Sequence, residues 1–211
     1  MRSAPFGYII GASLGIVSGG ENMLKKLITA VMLLMVLTFS AYAASKKPPM
    51  PTEEFIRYCA TGKYSFVRNG IRRGAELNKV TDFFTPLIAA AQFQDNARVI
   101  TLLISSGADP DFPNHQGLTP LMAAAIKNKR KDITQALLKG GASPHAVDMT
   151  GSTATYYAAQ GNNTSALAAL LKAAPETADF ANAGGMTPLE AAIRSNSPEA
   201  QKLLREAGAE R

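Results

Sequence analysis

The chain of 211 residues contains no tryptophan, one cysteine and two histidines. A lone Cys59 has no intrachain partner, so no disulfide staples the fold. Its expected place is a buried helix face, with a reactive or intermolecular thiol as the alternative. Charged residues make up only 18% and hydrophobic residues 46%, which excludes a disordered tail and leaves enough apolar side chain for a core. Alanine dominates that fraction. An alanine-rich core suits thin, closely packed helices and suits a large ligand cavity poorly.

Catalytic patterns are missing as well. Among residues 44–211 no serine sits in a Gly-x-Ser-x-Gly elbow, the one such pattern, Gly11-Ala12-Ser13-Leu14-Gly15, falling in residues 1–22, and no glycine-rich loop precedes a Lys-Ser/Thr pair. Asp109-Pro110-Asp111-Phe112-Pro113-Asn114 superficially resembles a calcium loop. Its two prolines and the absent Gly and distal Glu make it an ordinary turn. No enzyme activity, cofactor or metal is expected. A weak metal site between loops carrying His115 and His145 is the lesser alternative.

The N-terminal region reads as a targeting segment. Lys25-Lys26 precede an apolar run from Leu27 to Phe39, and Ala41 and Ala43 follow at signal-peptidase spacing. The run falls short of the roughly 20 residues that span a bilayer, and no Cys follows it for lipidation. Residues 23–43 are therefore expected to be a cleaved signal peptide, giving a periplasmic or secreted protein without stable membrane insertion. Residues 1–22 are then an upstream extension, and translation is expected to begin at Met23. Codons for Gly19-Gly20-Glu21 can spell a purine-rich bacterial ribosome-binding site. Cleavage after Ala43 removes Arg2, Lys25 and Lys26 against Glu21, so the formal charge falls from +6 to +4. That mild basicity favours an acidic protein surface or an anionic envelope over nucleic acid.

The rest of the chain repeats. Thr85-Pro86-Leu87, Thr119-Pro120-Leu121, Thr153-Ala154-Thr155 and Thr187-Pro188-Leu189 open equivalent segments 34 residues apart, each followed by an alanine-rich stretch. A second landmark keeps phase: Gly74-Ala75, Gly107-Ala108, Gly141-Ala142 and Gly208-Ala209 each close an apolar helix. Threonine oxygen caps a helix start. Proline next to it suits the first turn, where its missing N–H costs nothing. The bulky residues of Val99–Ile104 and Ile133–Leu138 recur at helical spacing. Glycine ends each second helix in the left-handed conformation.

These residues, with Gly117, Gly151 and Gly185 before the Thr-Pro-Leu segments, resemble the ankyrin repeat over about residues 52–211. The resemblance implies an all-α solenoid of about five stacked helix-turn-helix units with short projecting hairpins, at roughly 52–80, 81–113, 114–147, 148–181 and 182–211. Residues 44–51 make a linker. Thr52-Glu53-Glu54 reads as a capped helix start opening a degenerate first repeat, whose arginines form a polar cap. Departures from the family are specific. Ile88, Met122, Tyr156 and Glu190 stand where the family places His, so the hydrogen-bond network built on that His is in doubt. Phe83 stands where a hairpin Gly is expected. The fourth repeat has Ala154 and Thr155 in place of the Pro and Leu of the Thr-Pro-Leu segment, has Pro175 near its closing position, and is expected to open most easily.

The family's partners contact hairpin tips and the exposed ends of first helices. Carried over by position, those residues are Asp82, Phe84, Gln92 and Phe93; His115, Gln116, Leu118, Ile126 and Lys127; Met149, Ser152 and Gln160; and Ala183, Met186 and Arg194. The resemblance thus implies a monomeric, non-catalytic scaffold in the bacterial envelope that binds another protein, in narrower form as an inhibitor or immunity partner. The alternative is an accessory or stress-protection factor for a periplasmic enzyme. Lys127-Asn128-Lys129-Arg130-Lys131 reads as a solvated turn between helices, with docking of an acidic partner as the sharper reading.

Overall fold

The computed structural model describes residues 28–38 and 48–210. They fall into two units divided between Pro48 and Pro49. In the first, residues 28–38 are helical. The remainder of the expected signal peptide, the upstream segment 1–22 and linker residues 44–47 lie outside the described residues. No described helix is long and apolar enough to cross a membrane.

The second unit is all-α and consists of five helix pairs. They are α1 Thr52–Thr61 with α2 Tyr64–Arg72, α3 Pro86–Phe93 with α4 Ala97–Ser105, and α5 Pro120–Lys127 with α6 Lys131–Lys139. Then come α7 Ala154–Gln160 with α8 Thr164–Ala173, and α9 Pro188–Arg194 with α10 Pro198–Glu206. Thr85, Thr119, Thr153 and Thr187 cap α3, α5, α7 and α9 by accepting the N–H three residues on. The outer helices α2, α4, α6 and α10 end at Gly74, Gly107, Gly141 and Gly208, with φ of 77°, 103°, 94° and 99°. That conformation lets the following alanine N–H reach back along the helix, Ala108 to Leu103 O at 3.0 Å and Ala142 to Leu137 O at 3.0 Å.

Packing follows side-chain size. The inner helices α1, α3, α5, α7 and α9 stack through small buried residues, Ala89–Ala91, Ala123–Ala125 and Ala158–Ala159. The outer helices contribute Ile100, Leu103, Ile133, Leu137, Leu167, Leu170 and Leu204 to the same continuous core. Inner helices touch one another more extensively than outer helices do. The inner helices form the more closely packed row, and their free side is the face that the ankyrin resemblance implies to be concave.

Several sequence expectations are corrected or refined. Thr52 does not cap α1: Pro51 occupies the cap position, and the Thr52 hydroxyl donates to Glu76 at 3.2 Å. At the positions where the resembled family has His, Ile88 is buried and Met122 sulfur accepts the Thr119 N–H at 3.5 Å. The Glu190 carboxylate accepts the Thr187 N–H at 2.9 Å, closing a reciprocal capping box. In the fourth repeat no glycine closes α8. A 3₁₀ turn, Pro175–Asp179, follows instead. It is pinned by the buried Thr177 hydroxyl, which lies 2.7 Å from both Ala174 O and the Thr155 hydroxyl.

Candidate interaction surface

The hairpins between repeats are built around one polar side chain that recurs every 34 residues: Asn114, Asp148 and Asn182. Asn114 Oδ1 accepts the N–H of Gln116 at 2.9 Å and of Leu118 at 3.0 Å. Asp148 does the same for Thr150 and Ser152, and Asn182 for Gly184 and Met186. Gly117, Gly151 and Gly185 supply the positive φ that each turn requires. Successive tips are then joined by the backbone, Met149 N–H to Gln116 O at 3.1 Å and Ala183 N–H to Thr150 O at 2.9 Å.

The first hairpin differs, as Phe83 implies. Thr81 and Phe84 exchange two backbone bonds of 2.9 Å, and the left-handed residue is Asp82 at φ 49°. Phe83 projects from the tip and is 61% exposed. Its link to the next hairpin is one side-chain bond, from the Asn114 amide to Phe83 O at 2.9 Å.

A second repeated device lies at the other end of the inner helices. The Gln94 amide donates to Gly62 O at 2.9 Å. That of Asn128 donates to Ala91 O at 3.0 Å and Gln94 O at 2.8 Å, and that of Asn163 to Ala125 O at 3.0 Å and Asn128 O at 2.9 Å. Each buried amide satisfies carbonyls left open at the end of the preceding inner helix. The sequence carried this signal as an amide following each of three inner helices, but its spacing and residue type both vary. The equivalent Ser197 is too short to continue the ladder, and its buried hydroxyl has no partner.

The expected contact residues separate into three groups. Asp82, Phe93, His115, Gln116, Lys127, Met149, Gln160, Ala183 and Arg194 are exposed. Phe84, Gln92, Leu118, Ile126 and Met186 are half-buried, with Phe84 and Leu118 packed against the core and Phe84 tilted against Phe93 at 5.8 Å between ring centroids. Ser152 is buried at 2% exposure. It is a structural residue of the hairpin, where its N–H donates to Asp148 and its hydroxyl accepts from Thr150. Phe83 at the first tip and Ile193 beside Arg194, 50% exposed, are further apolar positions that the sequence reading did not include.

Electrostatics on this face centre on Asp148 and Tyr157, whose hydroxyl donates to the carboxylate. Burial, then the bond to Asp148, pushes the phenol up to about 12. Burial acts to raise the Asp148 carboxyl, but the bonds from Tyr157, Thr150 and the Ser152 N–H outweigh it and hold it below its ordinary value. Elsewhere, burial pushes the Cys59 thiol far above the ordinary thiol range, which makes it a poor nucleophile. The carboxylates of Asp109 and Asp111 are engaged by the N–H groups of Asp111 and Ser143. His145 faces Glu176 at 3.2 Å. Among the described residues no group of three His, Cys, Asp or Glu could hold a metal ion.

Paired helices, threonine-capped helix starts and an inner row of small buried residues repeat through the unit. A family model described as ankyrin repeats (three copies) matches residues 55–148 and 124–210. The chain belongs to the ankyrin-repeat family. A search of curated proteins returned no match. Ankyrin repeats generally mediate protein–protein interaction, and ankyrin-repeat proteins are typically non-catalytic scaffolds.

Proposed function

We propose that this ankyrin-repeat protein is a scaffold of the bacterial envelope that binds a partner protein through its concave face and hairpin tips. In the narrower form of the proposal the partner is an envelope enzyme or toxin held inactive. The observation that carries the reading is the apolar crease of the second and third repeats. There Phe93, 51% exposed and tilted against Phe84, is followed on the next unit by the half-buried Leu118 and Ile126. Aromatic anchors in such a patch supply most of the energy of protein interfaces. The signal-like segment at 23–43 supports export.

The test is affinity capture from envelope extract, with wild type beside a Phe93→Asp, Ile126→Asp variant shown by circular dichroism to be folded. Wild type is expected to retain a partner that the variant loses. Equal capture by both overturns the assignment of this face.

A further inference from the structure

We infer that the segment received by the concave face is acidic as well as apolar, its acids meeting the basic edge formed by Lys127, Lys129 and Lys131. The inference rests on the reading of the concave face given above and specifies the partner's chemistry there.

Charge is sorted along the helix axes. At the hairpin end, Glu76 (paired with Lys79 at 2.6 Å), Asp82, Asp109, Asp111, Asp148, Glu176 and Asp179 outnumber the cations Arg72, Arg73, Lys79 and Lys139. At the opposite end, the turns between inner and outer helices and the helix residues flanking them carry Lys63, Arg98, Lys127, Lys129, Arg130, Lys131 and Arg194, with Asp95, Asp132 and Glu199 the acids among them. Arg130 is engaged with Asp132 at 3.1 Å. The three lysines around it are exposed and make no ion pair among the described residues. Unpaired cations held close together repel one another, so the edge is relieved by an anion.

Two features make this edge more than a solvated turn. The loop is fixed, because Asn128 between Lys127 and Lys129 is buried and bonded to Ala91 O and Gln94 O. The lysine backbones are therefore held in place before binding, which lowers the ordering cost. The edge is also continuous with the apolar crease: Lys127 and Phe93 occupy equivalent positions on neighbouring inner helices, and Ile126 precedes Lys127. A chain segment can place an apolar side chain against Phe93 and Ile126 and carboxylates against the lysines. A planar anionic bilayer reaches the edge but not the crease on the concave side. Acids at the hairpin end repel such a segment and so set the direction in which it lies.

The experiment is selection of a random twelve-residue phage-displayed peptide library on the full-length protein, followed by affinity measurement with the selected peptides. Expected sequences pair an aromatic or large aliphatic residue with clustered Asp or Glu. Their binding weakens on the order of tenfold in a Lys127→Glu, Lys129→Glu, Lys131→Glu variant, and in high salt. A charge-matched Lys139→Glu, Lys172→Glu, Lys202→Glu variant retains affinity. Peptides without acidic enrichment, or indifferent to the first triple variant, overturn the inference, while loss of their binding in Phe93→Asp, Ile126→Asp leaves the concave-face reading intact. Peptides bound equally by that double variant sink the underlying reading instead. Failure to select any peptide overturns the inference, as does lysine-dependent sedimentation with vesicles of equal phosphatidylglycerol and phosphatidylcholine in place of peptide binding.

Discussion

The side-chain amide of Asn163 donates to the backbone carbonyl of Asn128 at 2.9 Å, and the Asn128 amide donates in turn to Gln94 O at 2.8 Å. Three consecutive turns are thereby tied by one type of bond, buried from water. Truncating the middle rung strands both Ala91 O and Gln94 O. Asn128→Ala is expected to cost roughly 2 kcal/mol, each stranded buried group contributing about 1 kcal/mol or more. Urea unfolding with the slope unchanged measures it. A loss below about 0.5 kcal/mol would show the ladder to be incidental.

The ladder stops at Ser197, whose buried hydroxyl is unpartnered, while Ser195 makes a longer contact to Ala159 O at 3.4 Å. Ser197→Asn is expected to restore the missing rung and stabilise the protein by about 1 kcal/mol. A lower Tm would mean that the site cannot admit the larger side chain.

Thr134 presents the opposite case, a fully buried hydroxyl on α6 with no partner and no role in the ladder. Thr134→Val removes the orphaned oxygen at almost constant volume and should raise stability by about 1 kcal/mol. By contrast, Leu137→Ala three residues on, fully buried in the shared core, should cost about 2–5 kcal/mol. Thermal unfolding of the two variants should therefore move in opposite directions.

Glycine hairpins give a paired comparison. Gly151 and Gly185 have φ of 72° and 75°, but a Cβ on Gly151 would lie 2.8 Å from Ala183 N, whereas one on Gly185 meets nothing within 4 Å. Both alanine variants incur the left-handed cost of about 1 kcal/mol. Gly151→Ala should lose clearly more, since the obstruction is backbone. Equal losses in chemical denaturation would contradict the packed-tip geometry.

Stability should depend on pH through Asp148 and Tyr157. The carboxyl is held below its ordinary 3.8, so its contribution is present above that value and is lost as pH falls through the native value. The phenol is raised from 10.0 to about 12, so its contribution is present below pH 10 and is lost as pH rises toward 12. Tyr157→Phe should flatten both limbs only in part, the alkaline one because the buried Cys59 thiol still resists ionisation and the acid one because Thr150 and Ser152 still hold the carboxylate. Urea midpoints measured across both limbs decide the matter.

The repeat itself was legible because its marks are backbone requirements: threonine at a helix start, proline after it, glycine where φ turns positive. The same logic failed at Thr52, where a preceding proline takes the cap position and frees the hydroxyl for Glu76. Ser152 was expected on the surface because it shares with Phe84, Leu118 and Met186 a position at which the family contacts partners. A small hydroxyl is instead drawn beneath the hairpin by Asp148, which larger side chains at that position would not permit. The amide ladder was hidden by a change of spacing. Asn162 and Asn196 add a left-handed residue, at φ 49° and 53°, before the turn in the last two repeats.

The glycine-lined hairpins have a mechanical consequence. Tips two, three and four are tied to one another through the main chain, so a load applied by a visitor at Met149 is shared with Gln116 on one side and Ala183 on the other. The tip bearing Phe83 hangs from a single amide and answers to its own contacts. The row thus offers a stiff ribbon with one independent finger at its leading edge.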